Sequence, residues 1–165
     1  MPDIKAFYGT PADVVITLAG LASDANLLAG RQSVEIDNTV LRAVDFTIGG
    51  RVTAGANATG GVIELWVVAS LDNIGLYPDT VTNGGDLART FSSANAKNFN
   101  ARPIGSQPVI ASASALPYWF APVSVAGLFS TQMAPPRFVV FGVHSTGVAI
   151  SSSQIRLQPE YETVG

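Results

Sequence analysis

The 165-residue sequence has no cysteine, one histidine and few charges. Without cysteine there is neither a disulfide framework nor a thiolate metal site, and a cysteine nucleophile is excluded. The single histidine, His144, leaves any metal site to carboxylates, which suit calcium or magnesium better than zinc. Charged residues make up 13% of the chain, about half of the ~25% usual in soluble domains. The net charge of −3 comes without a Lys/Arg stripe that would neutralise phosphates, so no nucleic acid is expected as a partner. Long apolar runs are also missing. The longest early one, residues 14–22, is broken by Thr17 and Gly20 and falls short of the roughly 20 residues that span a bilayer. No membrane partner is expected, and the first residues lack the basic-then-apolar pattern of a secretory signal.

What replaces charge is neutral polarity. The chain holds 14 Ser, 12 Thr and 8 Asn, yet its mean hydropathy stays positive, at +0.32. That combination predicts apolar surface covered by partner chains rather than a free monomer. A chain of this length buries about 70% of its unfolded surface, enough for one domain without staples. No internal repeat or coiled-coil heptad divides it, so the expected organisation is an N-terminal arm at 1–12 and a single domain at 13–165.

Short β-branched runs alternate with Gly, Pro, Asn and Ser, the pattern of strands joined by turns. Residues 14–18 form the first run. Residues 33–37 alternate, which predicts Val34 and Ile36 facing inward and Ser33, Glu35 and Asp37 facing water. Val44, Phe46 and Ile48 share a face of the next run, which is expected to end at Gly49-Gly50. Five of the thirteen residues from 49 to 61 are glycine and read as a hairpin or crossover. Residues 62–69 and 137–143 are apolar at nearly every position, as in strands covered on both faces. Two last segments near 148–150 and 154–157 precede an interruption at Pro159. Helix should be minor, with short turns at 23–29, where Asp24 can cap, and at 86–92. About eight strands result, with one long irregular loop between residues 70 and 107. The expected fold is an all-β antiparallel β-sandwich of jelly-roll or Greek-key type.

No catalytic centre assembles from these residues. His144 and Ser145 are neighbours on a strand end and point to opposite faces, so they form no nucleophile–base pair. Glu64, inside an apolar strand, is the one candidate for a perturbed acid; its alternative is an ion pair with an arginine such as Arg42 or Arg137. Asp72, Asp79 and Asp86 recur every seven residues and could gather around calcium, although loop acids are ordinarily solvated. The glycine-rich stretch has no Gly-Lys-Ser/Thr ending and no helix after it, so it is not a phosphate loop. No cofactor is expected. The cluster Tyr118-Trp119-Phe120 has three open roles: closing the core, anchoring a protein interface, or stacking on sugar rings.

The order of segments resembles small virion-associated proteins of tailed phages, which carry a jelly-roll-like sandwich. The resemblance lies in residues 16–23 (ITLAGLAS) preceding 30–38 (GRQSVEIDN), a glycine-rich turn, and a strand ending at 69–72 (ASLD). Later, Leu128-Phe129 leads to 135–141 (PPRFVVF) and the turn at 145–149 (STGVA). It covers about residues 14–163. It implies a capsid decoration or cement protein, made in the host cytoplasm and carried on the capsid surface of the virion. The implied partners are the major capsid protein or neighbouring virion proteins and other copies of the chain, with a trimer favoured. The expected interface residues are Ile4, Phe7, Tyr8, Leu76, Tyr77, Tyr118 and Trp119. The other function considered is a carbohydrate-binding or adhesion module of a head fibre or tail, stacking sugars on Trp119, Tyr118 and Tyr77.

Overall fold

The computed structural model describes residues 4–164. It is 47% strand and 9% helix, with two antiparallel sheets packed against each other. In chain order the elements are β1 (Ile4–Tyr8), β2 (Ala12–Asp13), β3 (Ala29–Gln32), β4 (Ile36–Asp37), α1 (Asn38–Leu41), β5 (Asp45–Ala54) and β6 (Val62–Ala69). They continue with β7 (Leu87–Thr90), α2 (Ala94–Asn100), β8 (Ala101–Pro108), β9 (Pro117–Ser124), α3 (Val125–Leu128), β10 (Arg137–His144) and β11 (Ile150–Val164). The first sheet runs β1-β11-β5-β9, with β2 also on β11; the second runs β7-β3-β10-β6-β8, with β4 also on β10.

The pairing is nested. β2 pairs with β11, β3 and β4 with β10, β5 with β9, and β6 with β8, all antiparallel. Successive pairs fall in alternate sheets, as in a long two-stranded ribbon rolled around a core. That is the jelly-roll form of sandwich, as the sequence predicts.

Two apolar layers result. Between the sheets, β5 contributes Phe46, Ile48, Val52 and Ala54, β6 contributes Ile63, Leu65 and Val67, and β10 contributes Phe138 and Val140. The other face of β6 and β10 carries Val68, Val139, Phe141 and Val143, and a second cluster of Tyr77, Val81, Phe91 and Ala101 covers it. Phe91 meets Phe141 edge-on at 5.0 Å. The near-continuous apolar runs of β6 and β10 thus reflect burial on both faces.

The covering chain corrects the expected irregular loop. Residues 70–86 are irregular, but β7, α2 and β8 follow before residue 108. β7 forms where a helical turn is expected, at residues 86–92. It is a largely exposed edge strand beside β3, so it has no inward-facing apolar set to announce it.

Other boundaries move for local reasons. Residues 14–18, expected as the first strand run, alternate in burial, with Val14 and Leu18 buried and Val15 exposed, but they are not a ladder strand. Val14 donates to Ile155 O, while Val15 O accepts from Val34, so the segment bridges the two sheets. At Ser33 the expected register inverts. Ser33 is wholly buried and Val34 is 39% exposed, because the chain breaks between β3 and β4 and Ser33 Oγ accepts from Val140 N–H and donates to Val34 O. β5 runs through Gly49-Gly50 instead of ending there. A Cβ on Gly50 would lie 2.3 Å from Gln154 O, so glycine permits the close strand approach. β11 is one strand through Pro159, whose carbonyl faces the Gly9 N–H. Its missing donor lies opposite Gly9 O, which accepts from the Gln158 side-chain amide instead, at 3.3 Å. The expected N-terminal arm is strand over much of its length, with β1 and β2 paired to β11.

Candidate functional site

The groups with most chemical potential are tied into the fold. Glu64 projects from β6 onto the outer face of the second sheet, where α2, capped by the Ser93 side chain on Ala96 N–H, lies over it. Lys97 of α2 is 4% exposed. Its ammonium donates to Glu64 Oε2 at 2.8 Å and to Leu27 O at 2.7 Å, and lies 4.9 Å from the Trp66 ring centre. Trp66 Nε1 donates to the same carboxylate oxygen at 3.0 Å. The ion pair considered for Glu64 exists, but its partner is Lys97. Arg137 instead pairs with Glu35 and with Asp37 (2.7 Å), and donates to Asn73 O at 2.7 Å.

His144 is buried at the end of β10. Nε2 lies 2.9 Å from Leu21 O, a pure acceptor, so this nitrogen carries the proton; Nδ1 lies 3.0 Å from the Thr146 hydroxyl. Burial pushes its pKa below the ordinary value, against the Leu21 and Ala22 backbone contacts. A neutral, doubly hydrogen-bonded imidazole whose hydroxyl neighbour, Thr146, is itself wholly buried holds turns together.

The three spaced aspartates bond three separate parts of the chain. Asp72 accepts from the Ile74 and Leu76 amides, Asp79 from Ser92, and Asp86 from Thr17 and from the Arg31 guanidinium. Among the described residues no three His, Cys, Asp or Glu side chains group as metal ligands would. Asp24 caps without a helix, accepting from the Asn26, Leu28 and Ala29 amides. These bonds, the Ala29 one first, lower its pKa.

The expected interface residues fall into distinct places. The side chain of Ile4 lies outside the described residues. Phe7 and Tyr8, 48% and 67% exposed, sit on β1, with Phe7 stacked on Tyr161 at 5.3 Å. Trp119, 65% exposed, stands on β9 at the far edge of the same sheet, beneath the Arg51 guanidinium at 5.6 Å. It walls a groove of about 360 Å³ floored by Gly49 and Gly50 and flanked by Arg156 and Gln158. Tyr118 is half-buried, its hydroxyl accepting from Ile110 N–H, and Phe120 closes the core. Leu76 is exposed on the excursion over the second sheet, with Leu71 and Ile74.

Tyr77 is a correction. It is 6% exposed and packs into the outer core, with its hydroxyl donating to Glu35 at 2.9 Å. Burial, and then the carboxylate, raise its pKa far above the ordinary phenol range. It offers no face to a sugar or a partner.

One apolar surface has no counterpart among the sequence-based candidates. Val15, Val34, Val40 and Leu41 line a groove of about 400 Å³ at the junction of the sheets. Val34 reaches it only because of the inversion at Ser33, which alternation does not reveal. The chain matches no protein-family model, no curated protein and no solved structure.

Proposed function

We propose that this protein is a structural subunit of a tailed-phage virion, a decoration or cement protein that binds across capsid subunits and stabilises the shell. The observation that carries this reading is the separation of its exposed apolar residues. Phe7 and Tyr8, Trp119, and the Leu71–Ile74–Leu76 group lie on different edges and faces of one sandwich. A subunit that touches several neighbours in a lattice needs such separate contacts, whereas an enzyme needs groups that converge. Jelly rolls are common in capsid proteins and in lectins, which makes the fold compatible with both readings considered. Many copies that bind only the assembled shell oppose its opening by mass action. Cryo-electron microscopy of the particle tests this: ordered copies on the shell support it, and a bare shell in particles that contain the gene product refutes it.

A second reading rests on Trp119. An exposed indole beside Arg51, above a glycine-floored groove, offers a stacking platform for a sugar ring. Glycan-array binding that disappears in Trp119→Ala favours this reading; a blank array excludes it for the glycans displayed.

A further inference from the structure

We propose that β1 is a self-pairing edge, through which two copies of the chain join the first sheet of one to that of the other. This goes beyond the shell-binding reading and rests on it only in supposing that copies meet. It also replaces the trimer implied by the family resemblance with a two-fold contact.

The starting point is a ribbon that is too thin. β5 pairs with β11 only as far as Asp45↔Glu160. Beyond it, residues 161–164 pair with β1 alone, from Phe7↔Tyr161 to Ile4↔Val164. Lys5, Ala6, Phe7, Tyr8, Glu162 and Thr163 are all exposed. A two-stranded ribbon is marginally stable in water, and added strands stabilise it.

The direction of the free backbone groups follows from one bond. Gly9 N–H donates to Pro159 O at 2.8 Å, so residue 9 faces β11. Peptide groups alternate along a strand, so those of Phe7 and Lys5 also face β11. Those of Ile4, Ala6 and Tyr8 face outward, where no described strand pairs with them.

The other ends of the two sheet paths, β9, β7 and β8, are guarded. β8 carries Pro103 and Pro108, and β9 carries Pro117 and Pro122, residues that blunt edges against pairing. β7 is short, holds Arg89, and has its Thr90 carbonyl taken by the Thr80 hydroxyl at 2.7 Å. β1 has no proline and a single charge, Lys5.

The occupant follows from the residues. An antiparallel partner must present outward-facing groups in the same phase, and a second β1 does so. Pairing centred on Ala6 sets Ala6 against Ala6 of the second copy, and Ile4 against its Tyr8. The smallest side chain of the strand then sits on the two-fold axis. Lys5 faces Phe7 of the second copy, not its Lys5, so a cation meets an aromatic side chain that is itself stacked on Tyr161. No like charges oppose each other. Such an isologous contact closes at two copies and leaves no open edge to propagate.

The test is the mass of the purified full-length chain by light scattering across a concentration series, for wild type, Ala6→Pro and Ala6→Glu. Proline at 6 removes an outward N–H and keeps every β1–β11 bond; glutamate keeps the N–H but places two carboxylates at the axis. Wild type is expected at twice the chain mass. Ala6→Pro should weaken association on the order of hundredfold or more. Ala6→Glu should weaken it less, with recovery at high salt. Native-like circular dichroism and a cooperative melt establish that both variants fold. A monomeric wild type, a trimer, or a dimer untouched by both variants overturns the proposal. So does a monomeric wild type whose shell binding is lost in Ala6→Pro, because the strand partner would then be the shell. Shell binding by a monomer that is insensitive to Ala6→Pro sinks the self-pairing and leaves the decoration reading standing.

Discussion

The Lys97 ammonium and the Glu64 carboxylate lie 2.8 Å apart on the outer face of the second sheet, with side chains 5% and 15% exposed. Thirty-three residues separate them in sequence, so the pair fastens α2 and its loop to the central strand. Removing one partner of a buried pair strands the other. Lys97→Met is expected to cost about 3 kcal/mol, measured by urea unfolding at neutral pH. Adding Glu64→Leu to it should recover much of the loss. An equal or larger loss in the double variant would mean that the pair is not what holds α2 down.

Phe91 anchors the excursion more directly, against Phe141. Phe91→Ala should cost about 3 to 5 kcal/mol. Hydrogen exchange should rise first in residues 70–91, because the inter-sheet core does not include Phe91. Uniform loss of protection across both sheets would contradict two separate layers.

Gly61 has φ +90°, and a Cβ there would lie 2.2 Å from Ser145 O. Gly61→Ala combines a left-handed backbone with a collision against the main chain that follows β10. It is expected to lower stability by roughly 1–3 kcal/mol, read as a fall in melting temperature. Gly85, with nothing within 4 Å of its added Cβ, is the control.

Acid should weaken the fold through His144 before it reaches the carboxylates. Burial holds the folded-state pKa of His144 below its unfolded value of 6.5. Its contribution is therefore complete above pH 6.5 and is lost as pH falls through the lower folded value. The carboxylates of Asp24, Asp37 and Asp86 are also lowered, from 3.8, so their contributions fade only at more acid pH. Urea midpoints should decline as pH drops from 7.5 to 4.5, and the decline should be shallower in His144→Gln.

Much of the sandwich was readable in the sequence because its central strands are buried. β6 and β10 announce themselves by continuous apolar runs, and Phe46 and Ile48 by alternation. What was hidden lies where backbone geometry or a distant partner overrules local pattern. Ser33 turns inward and Val34 outward because the Ser33 hydroxyl bonds Val140, Pro159 sits in β11 because the Gln158 side chain replaces its missing donor at Gly9 O, and β7 is too exposed to show alternation. The candidate surfaces divide the same way. Trp119, Tyr8 and Leu76 are exposed as expected, whereas Tyr77 is buried because the excursion folds back as a second core layer. Nothing local distinguishes Tyr77 from Tyr8. The partner of Glu64 was likewise unreadable, since a lysine on a short helix gives no sign of reaching a strand 33 positions away.

If this sandwich is the proposed subunit of a shell, it must bind assembled capsids, which co-sedimentation reads. Purified protein is mixed with capsids of the phage proposed to carry it, stripped of this chain, and spun. Saturable pelleting at a fixed ratio to the capsid protein is expected, together with shells that open at a higher temperature. Protein that stays in the supernatant at all ratios, with unchanged shell opening, would contradict it.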